Sequence, residues 1–176
     1  MLEQSQIING ISTATQEVFG TMLAMEVTPG EPYTDHSSSI AIDGVVSLLG
    51  LAGAWIGSGS VSMPSNLACR ISSQFLMAEY PAVNEEVLDA VAEITNMIIG
   101  NFKTSIEDVL GPMGMSIPTV IFGRNFTTRS IGSDEWTSVP FDIEGDSMVV
   151  RVCLTPARSP VAVRHGFVQP AQVGTK

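Results

Sequence analysis

The stretch from Asn84 to Asp108, NEEVLDAVAEITNMIIGNFKTSIED, constrains the fold most, because its apolar residues recur with helical spacing over seven turns. Asn84 is positioned to cap the N-terminus, and Glu85 and Glu86 place carboxylates in the first turn, where they offset the positive helix end. At 100° per residue, Val91, Ile94, Ile98 and Phe102 fall on one side as a stripe to be buried. Asp89, Glu93, Asn96 and Gly100 fall on the opposite side within an arc of about 60° by the same period. One face thus carries two carboxylates, a carboxamide and a glycine, with no large apolar residue among them.

A helix packed on a sheet needs a solvated face, and Asp, Glu and Asn often fill it. Two details go beyond that need. Asn is a poor helix-interior residue because its amide competes for backbone groups. Gly100 costs on the order of 1 kcal/mol against Ala in the same position. Both lie on the face that folding does not need, and a glycine there lets another backbone come close.

The spacing Asp89-x3-Glu93-x2-Asn96, with Pro118 following in GMSIPTVIFG, resembles the signature of the CheC/CheX/FliY chemotaxis phosphatases. The run DAVAEITNMIIGN, Asp89 to Asn101, is most similar to the CheX type. The order of elements over residues 5 to 155 is similar too: an N-terminal helix leading into MEVTPGEPY, the hairpin GVVSLLGLAGAWIGSGSVSM, then the long helix.

The resemblance implies a phosphatase acting on the phospho-aspartate of a CheY-like response regulator, with Glu93 and Asn96 catalytic. It implies no cofactor of the chain's own, the Mg2+ being that of the partner regulator. Asn96 would orient the attacking water: its C=O accepts from the water and its NH2 donates, and it adds no negative charge beside a phosphoryl group. Glu93 would pair with a cation of the partner and fix the docking register. Asp89 and Gly100 are expected to touch the partner at the rim. A non-catalytic module of the same fold, docking a signalling or flagellar-switch partner through the same face, is the alternative.

Other chemistry finds less support. Asp89, Glu93 and Asn96 have oxygen atoms suited to a hard cation, but three ligands from one helix converge poorly and no second cluster joins them, so no metal site is assigned. His36 and His165 stand apart from any nucleophile signal. No phosphate-binding or dinucleotide fingerprint is present, and Gly57-Ser58-Gly59-Ser60 leads into no helix.

The chain has 176 residues, 44% hydrophobic and 15% charged, enough for one globular domain with a sizeable core. A formal net charge of −10 argues against nucleic-acid or anionic-membrane binding. Cys69 and Cys153 match no metal spacing and read as reduced thiols of a cytoplasmic protein. The N-terminus has no basic region or apolar run of a signal peptide. The apolar span Ile40 to Gly57 contains Asp43 and several glycines, and reads as buried strands rather than a membrane helix.

In chain order, a first helix is predicted from Gln4 to Leu23, then a turn at Thr28-Pro29-Gly30. Strands follow over Ser37–Leu51 and Trp55–Met63, joined by a turn at Ala52-Gly53-Ala54. A second helix runs from Ser65 to Glu79 with Leu67, Ile71, Phe75 and Leu76 inward, ended by Tyr80-Pro81. Beyond the long helix come a strand from Met115 to Phe122, a polar loop from Arg124 to Glu135, and a hairpin, Trp136–Ile143 and Ser147–Leu154, turning at Glu144-Gly145-Asp146.

The expected fold is α+β in two layers: a mostly antiparallel sheet of five or more strands, covered by three helices on one face. Residues 1–155 form the domain and 156–176 a mobile basic tail, which holds three of the eight basic residues and no acidic one. The first helix has a degenerate echo of the motif, Glu17-x2-Gly20, in which Gly20 stands where a carboxamide is needed. That helix is expected to be silent. A homodimer by sheet-edge pairing is expected, through the strand Val149–Leu154 or the Trp136 region.

Overall fold

The computed structural model describes residues 3–35, 39–129 and 135–157. His36, His165, part of the expected polar loop and nearly all of the expected tail lie outside them. The described elements are helices α1 (Gln4–Val18), α2 (Ser65–Leu76) and α3 (Glu85–Leu110), and strands β1 (Thr28–Pro29), β2 (Tyr33–Asp35), β3 (Ser39–Gly53), β4 (Trp55–Met63), β5 (Met113–Met115), β6 (Thr119–Arg129), β7 (Trp136–Ile143) and β8 (Asp146–Pro156). They form one antiparallel sheet in the order β1-β7-β8-β4-β3-β5, with β2 also on β7 and β6 also on β3.

Alternation along the strands separates the two faces. Ser47, Val61, Val150 and Val139 make one row across β3, β4, β8 and β7, because each is the register partner of the next. Val45, Leu49 and Leu51 of β3 share that face, as do Met63, Phe141 and Met148, and all are buried in the core that the helices cover. The expected two-layer arrangement is therefore present. On the other face Arg151 is buried: its Nε donates to Ser138 Oγ at 3.0 Å, and its guanidinium lies 4.8 Å from the centroid of the Trp136 ring. Burial pushes the Arg151 pKa down.

α3 seats on the sheet through the stripe read from its sequence. Val91, Ile94, Ile98 and Phe102 are each at most 1% exposed. Asn84 accepts a hydrogen bond from the Val87 amide at 3.0 Å and closes the first turn. The approach is close at one point. A Cβ on Gly59 of β4 would lie 2.8 Å from Ile99 Cδ1, so only glycine fits beneath the helix there. Truncating Ile98 to Ala would cost about 2–5 kcal/mol by cavity formation.

Several details differ from expectation. Thr28-Pro29 is not simply a turn: it pairs with Asp142 and Phe141, and β2 pairs with Trp136 to Ser138. The expected strand Met115–Phe122 is two strands, because Pro118 has no amide to donate and separates β5 from β6. β6 continues to Arg129, into the expected loop, because β3 begins early enough to pair with it from Ser39. Arg124 and Asn125 sit opposite the single residue Asp43, a bulge that Asn125 accommodates with φ 52°.

The expected dimer strands do not offer a free edge. β8 is interior, paired on both sides, and the outer side of β7 carries β1 and β2. α2 stops at Leu76 rather than Glu79, because Met77 turns left-handed at φ 53° and Ala78 N donates back to Ser73 O at 3.2 Å. α3 runs two residues past Asp108, to Leu110, before Gly111 ends it.

Glu107 joins the end of α3 to the start of β5. Its Oε1 accepts from Lys103 Nζ at 2.7 Å and from the Met113 amide at 2.8 Å. The Lys103 hydrogen bond, followed by that from Met113, holds its carboxyl below the ordinary 4.5. A depressed folded-state pKa stabilises the fold above the unfolded value, and that contribution is lost as pH falls through the folded value. The stability gap between wild type and Glu107→Gln, followed by urea unfolding, should be full above pH 4.5 and close at lower pH. A gap independent of pH would contradict this role.

Candidate functional site

The polar row of α3 emerges on the side away from its buried stripe. Asp89 and Glu93 are exposed, while Asn96 and Gly100 are half-buried. The partial burial of Asn96 restricts its amide to fewer orientations, which suits a positioning group better than a docking one.

The segment carrying Pro118 runs beside the C-terminal half of the row. A Cβ on Gly100 would lie 3.5 Å from Met115 Cε, an ordinary contact, so the space over Gly100 is bordered by the chain's own β5. Ser116 fixes this segment to β3: its amide donates to Gly50 O at 2.9 Å, and its Oγ accepts from Gly50 N at 2.8 Å. Ile117, the next residue, is 87% exposed, and Pro118 is half-buried.

On the other flank, α2 ends beside the N-terminal half of the row. A groove of about 500 Å3 runs between them, with Phe75, Leu76 and Ala90 as its apolar lining and Glu86, Asp89 and Glu93 as its acidic lining. The structure thus brings Asp89 and Glu93 together on one groove, which Asn96 and Gly100 do not line. Sequence reasoning placed Leu76 inward with Leu67 and Ile71. Those two are fully buried, but Leu76 is 40% exposed. Nine residues on from Leu67, it falls about 180° round the helix, a signal available in the spacing itself.

A second cavity, of about 530 Å3, lies between α2 and β6. Its Arg70 is already engaged by Asp146 at 3.0 Å and Glu144 at 3.3 Å. Among the described residues no three His, Cys, Asp or Glu side chains are grouped to hold a metal ion. No described helix is long and apolar enough to cross a membrane. Cys69 and Cys153 are both buried, and burial raises the Cys69 thiol pKa.

The echo of the motif in the first helix lacks a carboxamide and also regular helical geometry. Glu17 belongs to α1, but Gly20 lies in a π-helical turn, Phe19–Leu23, that ends the helix. Both are exposed, and nothing lies within 4 Å of a Cβ built on Gly20.

The row Asp89-Glu93-Asn96 thus faces outward from a helix that packs on an antiparallel sheet. The family model of chemotaxis phosphatase CheX matches residues 45–142, over half of the chain, and the protein belongs to that family. A CheY-P phosphatase CheX of Thermotoga maritima is 27% identical over 129 residues, covering 73% of this chain and 83% of the relative. The crystal structure of the chemotaxis protein CheX from Vibrio vulnificus is 28% identical, with a TM-score of 0.76 over 85% of this chain and 99% of that one. The CheX chain of a CheX-CheY-BeF3-Mg+2 complex from Borrelia burgdorferi is 28% identical, with a TM-score of 0.71 over 84% of this chain and 97% of that one.

Met77, the residue that ends α2, has a left-handed backbone and 94% exposure. For a residue with a side chain, that conformation costs roughly 1–2 kcal/mol. Met77→Gly should therefore raise unfolding stability by about 0.5–1 kcal/mol, since no packing is lost. Chemical denaturation measures this, and a destabilised variant would show that Met77 contributes contacts to the fold.

Proposed function

We propose that this protein hydrolyses the aspartyl-phosphate of a CheY-like response regulator, with α3 presented to the regulator's phosphorylated site. The observation that carries the reading is the pairing of an exposed Glu93 with a half-buried Asn96, one turn apart on an outward face. Two comparisons support it. The Thermotoga relative bears the name of a CheY-P phosphatase, and the Borrelia neighbour is bound to CheY with BeF3 and Mg2+. In such a complex the beryllofluoride stands in for the phosphoryl group of the aspartyl-phosphate. The magnesium of the reaction is assigned to the regulator, and the protein is given no cofactor of its own.

Each residue has a distinct task. Asn96 accepts a hydrogen bond from the attacking water through its carbonyl and holds it in line with the P–O bond to be broken. Its neutrality matters, because a carboxylate there would repel the phosphoryl oxygens. Glu93 reaches a cation of the regulator and sets the register. Asp89 adds a rim contact, and the absent side chain at Gly100 leaves room for the partner's backbone. For assembly we propose a homodimer joined along β6, whose outer side has no partner strand among the described residues. A monomeric mass by light scattering at tens of micromolar would contradict that.

Asn96→Ala should lower stimulated dephosphorylation of a CheY-like receiver by about 100-fold or more without unfolding the protein, the scale for losing a positioning group. Glu93→Ala should weaken both docking and turnover, whereas Glu17→Ala should change neither. Turnover assays on phosphorylated receiver decide this. Wild-type rates in Asn96→Ala would remove it from the mechanism, and a large loss in Glu17→Ala would give the first helix a working site.

Gly100→Ala tests the close approach. The methyl group fits against Met115 Cε at an ordinary distance, so stability should hold or rise by about 1 kcal/mol, the helix-interior advantage of Ala over Gly. KM should nonetheless increase, and an unchanged KM would return Gly100 to a purely structural role.

A further inference from the structure

We propose that the groove between the end of α2 and the N-terminal half of α3 is a docking site for the phosphorylated receiver domain, which fills it with an apolar side chain flanked by basic residues. This rests on the reading of the protein as a receiver phosphatase. It adds a second point of contact, beside the catalytic pair, that selects the partner.

Three observations converge on this groove. Phe75 of its apolar lining packs against the core and Ala90 is buried, but the lining residue Leu76 is 40% exposed, and Met77, which follows it in the chain, is 94% exposed. Neither side chain covers the core, and Met77 holds a backbone conformation that glycine would adopt more easily. An exposed apolar pair kept at such a position is what an interaction surface requires.

The groove is also wired to the chemistry. Glu93 lines it and belongs to the catalytic row as well, so an occupant of the groove is held in register with Asn96 one turn further on. Two of its lining residues are joined: the Tyr80 hydroxyl donates to the Glu86 carboxylate and ties the α2–α3 connection to the first turn of α3. That hydrogen bond raises the Tyr80 pKa.

Charge selects the occupant. Glu86, Asp89 and Glu93 line the groove, and among the described residues no cation does. A small anionic ligand would be repelled. So would the same groove of a second copy of this chain, which would bring its own three carboxylates against these. A small neutral ligand would stay mostly solvated in an open groove, whereas ligand pockets enclose most of their occupant. A protein surface that offers an apolar side chain among lysines or arginines satisfies both the lining and the carboxylates.

The test uses the full chain and a CheY-like receiver domain, in two measurements. The first is steady-state dephosphorylation of the phosphorylated receiver, and the second is a binding titration of the receiver carrying beryllofluoride. Leu76→Ser and Met77→Gly should each raise KM and Kd by about tenfold with kcat nearly unchanged, the pattern of lost uniform binding at an interface anchor. Met77→Gly relieves backbone strain, so its loss of binding cannot be ascribed to misfolding. Val109→Ser, an exposed apolar residue (54%) near the other end of α3, should alter neither constant. Wild-type KM and Kd in both variants, the groove-lining Leu76→Ser and the adjoining Met77→Gly, with wild-type turnover intact, would overturn the groove and leave the phosphatase reading standing. A wild-type protein that neither binds nor dephosphorylates the receiver would overturn both.

Discussion

Everything in this molecule depends on how α3 is seated. Val91, Ile94, Ile98 and Phe102 are driven out of water onto the sheet, and Gly59 lets Ile99 descend to the β4 backbone. Burying four such side chains contributes roughly 1.5–3 kcal/mol each against exposure, an upper estimate for a real unfolded chain. The consequence for function is rotational. With one side locked onto the sheet, the opposite side has a single orientation, and the spacing of Asp89, Glu93 and Asn96 becomes a fixed array. A catalytic group that must hold a water within tenths of an ångström gains more from this rigidity than from any pocket.

The surroundings of the row serve that array from two sides. Ser116 clamps the segment before Pro118 to Gly50 of β3, which puts Met115 beside Gly100. On the opposite flank α2 ends a turn early, at Met77, and leaves Phe75 and Leu76 to line the groove. Continuing α2 to Glu79 would have prolonged the helix at little local cost. The left-handed Met77 instead sacrifices some stability at a place where an apolar residue stands in water.

The sequence made the helix, its cap and its buried stripe legible because they obey local rules: Asn84 is followed by carboxylates, and the apolar residues keep a 3.6-residue period. The hairpin of β3 and β4 was legible from its β-rich runs, and the outward face of Glu93 and Asn96 from angular position alone. What escaped depends on distant pairing. β6 runs to Arg129 because β3 is long enough to receive it, and nothing local to Arg124-Asn125 reveals that. Thr28-Pro29 and Tyr33–Asp35 look like loop until β7 offers an edge. The groove was hidden for a different reason. Leu76 was grouped with Leu67 and Ile71 by hydrophobicity although its angle places it opposite them, and a left-handed Met has no composition signal.

The central claim is that a neutral carboxamide at position 96 orients the water that attacks the phosphoryl group. Asn96→Asp tests it most directly, because the side chain keeps its size and shape and changes only in charge and in the loss of an NH2 donor. The measurement is single-turnover decay of a phosphorylated CheY-like receiver with the protein in excess, so that weakened docking does not mask chemistry. The account predicts that wild type accelerates decay and that Asn96→Asp loses at least about 100-fold of that acceleration, the scale seen on losing a positioned polar group. Decay as fast with Asp as with Asn would contradict it.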